Sequence, residues 1–443
     1  MGGADTIELR VLHPGRGAFF LAEDGKGRVL RVHGGLPGER VLARERPGDP
    51  GFADVVEVLD PSPDRVPPPC PLAPRCGGCG WLSLAPRAQL ALRLDGLRRA
   101  LAGAGSPPPD EEPVRVEVLP APATLGYRWR LRFQAALDRE PPAIGFHRPG
   151  SRRVLDVAAC PLAAPPLGHL YRDVRRQLLA ERPRDLTGLE LSTLPGARGG
   201  LLFLNPRDRP PASWPGLGER LLAAIPRLAG VAVRPPSPRS PARPGFPDLL
   251  GSPLVLGRLP SGAPVAVAAR GFLQGNLPAA DRLADLVARL ADPAAGARVL
   301  DLHAGAGLLS WRLAARGGDV LAIEVDRLAA AAAAALPSPP AGSLRVRPGR
   351  AEEAGEAIRH AEVVVTDPPR SGLGALAGTL AREGPPRLVL VSCSVEALAR
   401  DLPRLREGGY RVDRLVAVDL FPHTRHLEVV TLLRRPSSPS QSW

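Results

Sequence analysis

The chain is 443 residues long, 44% hydrophobic, and carries 58 basic against 45 acidic side chains, a net charge of +13. That size accommodates roughly two to four domains with at least one large core, and the composition excludes a disordered or collagen-like chain. No apolar run is long enough to cross a bilayer, and the opening Met1-Gly2-Gly3-Ala4-Asp5 has neither the basic nor the apolar region of an export signal. A cytoplasmic protein without a membrane partner is expected.

Lys26 is the only lysine, so nearly all the positive charge is guanidinium. Arginine suits bidentate phosphate contacts and stacking on bases, and the excess favours a polyanionic partner. An arginine-biased genome, which the abundance of Ala, Gly and Pro also fits, would leave the same mark. The five cysteines, Cys70, Cys76, Cys79, Cys160 and Cys393, are odd in number and include a Cys-x2-Cys pair. With no export signal, metal binding plus one reactive thiol fits them better than a disulfide framework.

In chain order, residues 5–60 read as five short strands at 7–12, 18–22, 28–32, 39–46 and 54–59, separated by glycine-rich turns. Five such strands predict a small barrel of the oligonucleotide-binding type, with a generic small β domain as the alternative. Prolines at 61–69 close this segment, and a helical pattern follows at 89–102, ended by Gly103 and Pro107-Pro108-Pro109. Residues 113–260 mix strand-like and helical stretches, with an exposed linker expected at 234–247. Beyond Gly262 the pattern becomes regular: helix 277–290, strand 298–301, helix 308–316, strand 320–323, helix 327–336, then strands 363–367, 388–391 and 429–433. Strands alternating with helices predict a doubly wound parallel sheet.

The chemistry-bearing motifs sit at the strand ends of that last region. The segment Val299-Leu300-Asp301-Leu302-His303-Ala304-Gly305-Ala306-Gly307 is a buried strand running into a glycine turn, and Glu324 ends the next strand. Glycines there let backbone approach a ligand, and a carboxylate at that place accepts ribose hydroxyls. A methyl-donor nucleotide and a dinucleotide both satisfy this motif, since Gly305, Gly307 and Ser310 nearly match the G-x-G-x-x-G/A pattern. Asp367-Pro368-Pro369-Arg370 follows the fourth strand, its prolines holding the turn. Cys393, after Leu388-Val389-Leu390-Val391, is by itself most simply a buried core thiol. Beside Asp367 and Glu428 at neighbouring strand ends it has a sharper use. A thiolate adding at C6 of uracil makes C5 nucleophilic enough to take a methyl group, and a base such as Glu428 then removes the C5 proton. Cys70, Cys76, Cys79 and Cys160 offer four thiolates for zinc or an iron–sulfur cluster, and their three-plus-one layout favours the cluster.

In this order the motifs resemble the RNA uracil-5-methyltransferase family over essentially the whole chain. Asp367-Pro368-Pro369-Arg370, Ser392-Cys393, and Phe421-Pro422-His423-Thr424-Arg425-His426-Leu427-Glu428 are the most specific. Leu125-Gly126-Tyr127-Arg128, Ile144-Gly145-Phe146-His147 and Phe272-Leu273-Gln274-Gly275-Asn276 extend the likeness upstream. The resemblance implies three parts: a TRAM-type OB-like RNA-binding barrel at 1–60, an α+β central domain at 61–260, and a Rossmann-like catalytic domain at 261–443 that uses S-adenosylmethionine (SAM). It implies Cys393 as nucleophile and Glu428 as proton-abstracting base. Gln274, His303, Glu324 and Asp367 are then the SAM contacts, and Cys70, Cys76, Cys79 and Cys160 the ligands of a 4Fe-4S cluster, with zinc the lesser alternative. The implied partner is RNA, 23S ribosomal RNA ahead of tRNA, bound by a monomer. An RNA-binding protein with a degenerate catalytic domain and a nicotinamide oxidoreductase are the rival readings. Arg400-Asp401 matches a pair found after the family's nucleophile. The chain departs from the family at His303, where an aromatic is usual, and at Ser394-Val395, expected to loosen the nucleophile's turn. It also departs at the Ala-rich run 331–340.

Overall fold

The computed structural model of the chain describes residues 6–15, 17–73, 75–104, 115–207, 213–233, 249–269 and 271–436. The linker expected at 234–247 therefore lies outside the described residues.

The first strands are β1 (Thr6–Pro14), β2 (Phe20–Asp24), β3 (Val29–His33), β4 (Arg40–Arg46) and β5 (Asp49–Asp60), which close a barrel in the order β1-β2-β3-β5-β4. Alternation drives the closure: in β1, Leu9 and Val11 are buried while Glu8 and Arg10 face solvent. Inward residues from the other strands, among them Phe20, Leu30, Val32, Val41 and Ala53, complete one apolar core with Trp81 and Leu84. The Trp81 ring stacks on Phe20 with centroids 5.8 Å apart. This matches the five strands expected from the sequence.

The elements that follow are α1 (Pro86–Gly103), β6 (Val116–Leu119), β7 (Arg130–Ala136), β8 (Ala143–His147), β9 (Val154–Asp156), α2 (Pro165–Glu181), β10 (Leu186–Thr193), β11 (Gly200–Pro206), α3 (Trp214–Ala224), β12 (Leu228–Val233), β13 (Leu249–Gly251), β14 (Leu254–Arg258) and β15 (Pro264–Ala268). The carboxyl-terminal region continues with α4 (Leu277–Ala291), β16 (Arg298–Leu302), α5 (Leu308–Ala315), β17 (Asp319–Glu324), α6 (Arg327–Ala334), β18 (Ser343–Pro348), α7 (Gly355–His360), β19 (Val363–Thr366), α8 (Leu376–Glu383), β20 (Arg387–Ser392), α9 (Val395–Glu407), β21 (Arg411–Val418) and β22 (Glu428–Arg434).

Two compact units emerge. The first holds residues 1–95, Phe133–Pro161 and Phe421–His426. Within it, the buried Gln89 amide of α1 accepts from the His423 backbone N–H at 2.7 Å and donates to the carbonyls of Trp81 and Leu84 at 3.0 and 2.7 Å. Arg93 donates to the carbonyls of Phe421 and Thr424 at 3.1 and 3.2 Å. The Phe-Pro-His-Thr segment is thus held by hydrogen bonds to its backbone, the usual requirement for buried irregular chain.

The second unit holds residues 96–132, Leu162–Leu420 and 427–443. Its central sheet has the order β18-β17-β16-β19-β20-β22-β21-β6. Strands β16 to β20 pair in parallel, and β22 runs antiparallel between β20 and β21. From β16 the chain winds outward through β17 and β18, then returns to β19 on the other side of β16. The reversal opens a crevice at the carboxyl ends of β16 and β19, where ligands bind in open α/β sheets. One face is packed by Val299, Val363, Val365, Val389, Val391, Val430 and Leu432 against Leu283, Val287 and Leu290 of α4. The sequence reading missed β18, β21 and β6, the last a short strand just after the proline run.

Candidate active site

Period-2 alternation places the acids of the site. On β19 the inward residues are Val363 and Val365, so the next in phase is Asp367; on β20, Val389 and Val391 lead to Cys393. On β22, Val430 and Leu432 follow from Glu428, and on β16 Val299 is followed by Asp301. Ser392 pairs with Val429 across β20 and β22, so the register sets Cys393 opposite Glu428. The four groups lie on one face of the sheet, at its carboxyl edge.

Their ionisation follows from that placement. Burial, then the Glu428 and Asp367 carboxylates, push the half-buried Cys393 thiol up to about 11, with the Arg370 guanidinium opposing. Burial also lifts Glu428 well above the usual carboxylate range, with Asp367 adding to the shift and Arg370 again opposing. Asp367 is raised to about 7 by burial. Asp301, fully buried and accepting a hydrogen bond from Ser310 Oγ, is likewise raised to about 7. Desolvation disfavours each charged form, and packing acids together compounds it. Glu428 Oε1 and Asp301 Oδ1 are buried without a hydrogen-bond partner, a cost native structures accept mainly where a ligand or proton transfer uses the atom.

Around the crevice, the glycine turn is built for close approach. Gly305 and Gly307 have φ of 55° and 80°, and a Cβ on Gly307 would stand 2.8 Å from the Cβ of Ala333. The Ala-rich helix α6, a departure from the family pattern, is therefore small where the motif glycine packs on it. Glu324 is aimed by two backbone N–H groups, Gly305 donating to Oε2 and Asp326 to Oε1, each at 2.8 Å. His303 takes the left-handed region at φ 59°, a strained choice for a non-glycine residue. Its Nδ1 lies 3.1 Å from Thr366 Oγ1, across the β16–β19 crevice. Burial holds the His303 ring below the usual histidine range, so a neutral imidazole lines the site.

Gln274 lies half-exposed on the segment that leads into α4. That segment is tied down on both sides: Trp129 N–H donates to the Gly275 carbonyl at 2.8 Å, and buried Asn276 caps α4 by accepting from Ala279 N–H at 3.2 Å. Asn276 Nδ2 also donates to the Leu420 carbonyl at 3.0 Å. After Cys393, Ser394 caps α9 by accepting from Ala397 N–H at 3.2 Å, and Ser392 Oγ donates to the Ser394 carbonyl at 3.0 Å. The expectation of a loosened turn at Ser394-Val395 is corrected: two serines hold it.

Sequence reasoning did not assign Arg370, Asp301 or Thr366 to the site. Asp301 stood in phase with Val299, a signal that was available; Arg370 is exposed and carried no periodic signal. The structure brings Asp367, Cys393 and Glu428 together, with His303 and Glu324 at the neighbouring strand ends.

The other four cysteines belong to the first unit. Cys70 and Cys79 share a small apolar cluster with Leu72, Ala73 and Leu82, and burial, with Cys70 nearby, raises the Cys76 thiol. Gly77 N–H donates to the His147 carbonyl at 2.9 Å, and a Cβ there would come within 2.8 Å of that oxygen. Among the described residues, however, no three His, Cys, Asp or Glu side chains form a group able to hold a metal ion. As arranged, Cys70, Cys76, Cys79 and Cys160 do not fit the four-thiolate site expected from their spacing.

Residues 357–436, which span Asp367, Cys393 and Glu428, match the family model described as tRNA (Uracil-5-)-methyltransferase. A 23S rRNA (uracil(1939)-C(5))-methyltransferase from Halomonas elongata is 35% identical, over 99% of this chain and 90% of that relative. The chain belongs to the RNA uracil-5-methyltransferase family. An uncharacterized RNA methyltransferase from Streptomyces avermitilis is a further relative, 34% identical over 97% of this chain and 98% of its own. Among solved structures, the Pyrococcus abyssi tRNA (uracil-54, C5)-methyltransferase in complex with S-adenosyl-L-homocysteine superposes with a TM-score of 0.70. That match covers 96% of this chain and 100% of the other at 22% identity, a likeness of fold. In this family's fold the carboxyl-terminal sheet is the SAM-dependent methyltransferase sheet, and the amino-terminal strands form a closed barrel.

Proposed function

We propose that the chain methylates C5 of a uridine in structured RNA, 23S ribosomal RNA ahead of tRNA, through a covalent bond between the Cys393 sulfur and C6. The observation that carries this reading is the joint placement of Cys393, Glu428 and Asp367 on one sheet face, each close enough to alter another's ionisation. The residues at the crevice fit SAM: an aimed carboxylate at Glu324, a glycine turn open to a ligand, and acids beside the place a sulfonium would occupy. When bound, SAM supplies an electrophilic methyl group. Gln274, His303, Glu324 and Asp367 are the residues proposed to hold it.

The chemistry then follows from the chain's own groups. The Cys393 thiol gives up its proton to solvent and its sulfur bonds to C6; the ring's π electrons move toward C5 and the C4 oxygen. C5 takes the methyl group as the methyl's bond to the donor sulfur breaks, which leaves a neutral thioether. Glu428 accepts the C5 proton, and breaking the S–C6 bond restores the thiolate and the aromatic ring. A carboxylate with a raised proton affinity, and an orphan oxygen, suits that abstraction. The thiol is mostly protonated near neutral pH, so the step depends on positive charge in the crevice, from Arg370 and from a sulfonium. Reaching the base edge requires the nucleotide to leave its stack.

The finer readings belong here as well. The barrel is proposed as a TRAM-type RNA-binding module, supported by the exposed Arg31 guanidinium 3.6 Å over the Phe52 ring. A monomer acting in the cytoplasm is proposed; among the described residues no helix is long and apolar enough to cross a membrane. The 4Fe-4S reading of Cys70, Cys76, Cys79 and Cys160 rests on their spacing and shared unit, and no step is routed through it.

The test is a pair of variants assayed on unmodified 23S rRNA and tRNA transcripts. Cys393→Ala is expected to abolish 5-methyluridine formation while calorimetry still shows SAM binding; normal turnover overturns the assignment. Glu428→Gln is expected to accumulate a protein–RNA adduct that survives a denaturing gel, because methyl transfer no longer leads to elimination. Absence of the adduct, with methylation retained, removes Glu428 as the base.

A further inference from the structure

We infer that the groove between α8 and α9 is a phosphate track for the RNA flanking the target nucleotide. This inference rests on the reading of the chain as an RNA methyltransferase and names the surface that carries its substrate. The groove has a volume of about 530 Å³ and is lined by Gly374, Gly378 and Gly408 with Arg382, Arg404 and Glu407. Gly374 leaves backbone within reach of a ligand, with nothing within 4 Å of where its Cβ would stand, and the groove's arginines are exposed.

Some exposed arginines of this unit are paired with carboxylates, among them Arg289 with Asp285, Arg345 with Asp319, Arg359 with Glu383 and Arg414 with Glu117. Arg382 and Arg404 form no ion pair with a carboxylate among the described residues. Arg404 donates one long bond, 3.4 Å, to the Gly374 carbonyl, and Arg400, one turn earlier on α9, donates to the Ser371 carbonyl at 2.5 Å. A guanidinium has five N–H donors, so each keeps most of its fork for an anion. Arg400 and Arg404 stand one turn apart on α9, and Arg404 lines the groove together with Arg382 of α8. Exposed guanidinium groups bind the phosphates of a nucleic-acid backbone bidentately, with release of counterions. Glu407 is the one carboxylate among the residues lining the groove.

The test compares wild type with Arg382→Gln/Arg404→Gln, using an unmodified 23S rRNA transcript as the probe. Arg289→Gln, which breaks a surface pair on α4, is the control, and thermal melting and S-adenosylhomocysteine affinity are measured on all three. The double variant is expected to raise the KM for RNA roughly 20-fold at moderate salt with kcat kept. The slope of log affinity against log salt should become shallower by about 1.4–1.8, the value for two lost phosphate contacts. Unchanged KM and slope in a normally folded double variant overturn the inference, as does a KM change with no change of slope. If wild type methylates neither rRNA nor tRNA, the proposed reaction fails, while the salt slope of RNA binding still decides the fate of the groove.

Discussion

Arg370 bears on the ionisation of the two groups proposed for the chemistry. It is the cation that opposes the upward shift of both Cys393 and Glu428. A thiol raised to about 11 is almost entirely protonated at pH 7, so any rate limited by thiolate rises about tenfold per pH unit through the neutral range. Removing the guanidinium strips a stabilising charge from the anionic forms, so both groups hold their protons to higher pH. Arg370→Gln is therefore expected to displace the pH dependence of single-turnover methylation upward. At pH 7.5 the reaction should slow by about tenfold for every pH unit that the profile moves. Iodoacetamide labelling of Cys393, followed by peptide mass spectrometry, reads the same change without substrate: the variant thiol should react more slowly at pH 8. Superimposable profiles for wild type and variant would remove Arg370 from this role.

At the scale of elements, α9 connects Cys393 to the turn that carries Arg370. The helix starts two residues after Cys393, and its buried Asp401 accepts the Leu373 N–H at 2.8 Å. Gly372, at φ 81°, is so close that a Cβ there would lie 2.4 Å from Asp401 Oδ2. The Arg400-Asp401 pair thus pins residues 371–373, immediately beyond the Asp367–Arg370 turn. Asp401→Ala leaves a buried N–H unpaired and is expected to cost about 1–3 kcal/mol in denaturant unfolding. It should also move the pH profile in the direction of Arg370→Gln; loss of stability with an unmoved profile would mean the pair supports the fold alone. Gly372→Ala meets both the clash and the positive φ and should be destabilising by a similar amount. The buried central strands of this unit were legible because such strands read as runs such as Leu388–Val391, and Asp367 and Glu428, in phase with them, were legible beside Cys393. What escaped was set by long-range pairing: β6 is four residues long and is held only against β21, and β18 alternates arginine with half-buried residues. The barrel was readable strand by strand because glycine turns separate its alternating segments. Arg370 was not, because its effect works through space and leaves no period in the chain.

For the whole molecule, an excess of +13 carried almost wholly by arginine is consistent with a surface built for a polyanion, and it makes RNA binding strongly salt-dependent. The cysteines away from the crevice are a second property of the whole chain. Three of them lie within ten residues of one another and Cys160 is far along the chain, yet all four fall in the same compact unit. The four thiols thus share a unit, while among the described residues no three His, Cys, Asp or Glu side chains form a metal-holding group. On the 4Fe-4S reading proposed above, the cluster's own bonding would have to supply that organisation, since ligand binding to the folded form draws a site together and stabilises it. That reading requires protein purified without oxygen to carry about four irons per chain with a broad visible absorbance, and to lose both in Cys76→Ser. The same substitution should lower the melting temperature of the iron-loaded protein but leave that of the iron-free protein nearly unchanged, because Cys76 is only half-buried and a thiol and a hydroxyl differ little in size. Iron-free protein with all five thiols open to titration after unfolding, and a melting temperature indifferent to added iron and sulfide, would end the cluster reading. The methylation chemistry proposed for Cys393 would stand untouched by that result, because none of its steps passes through the other four sulfurs.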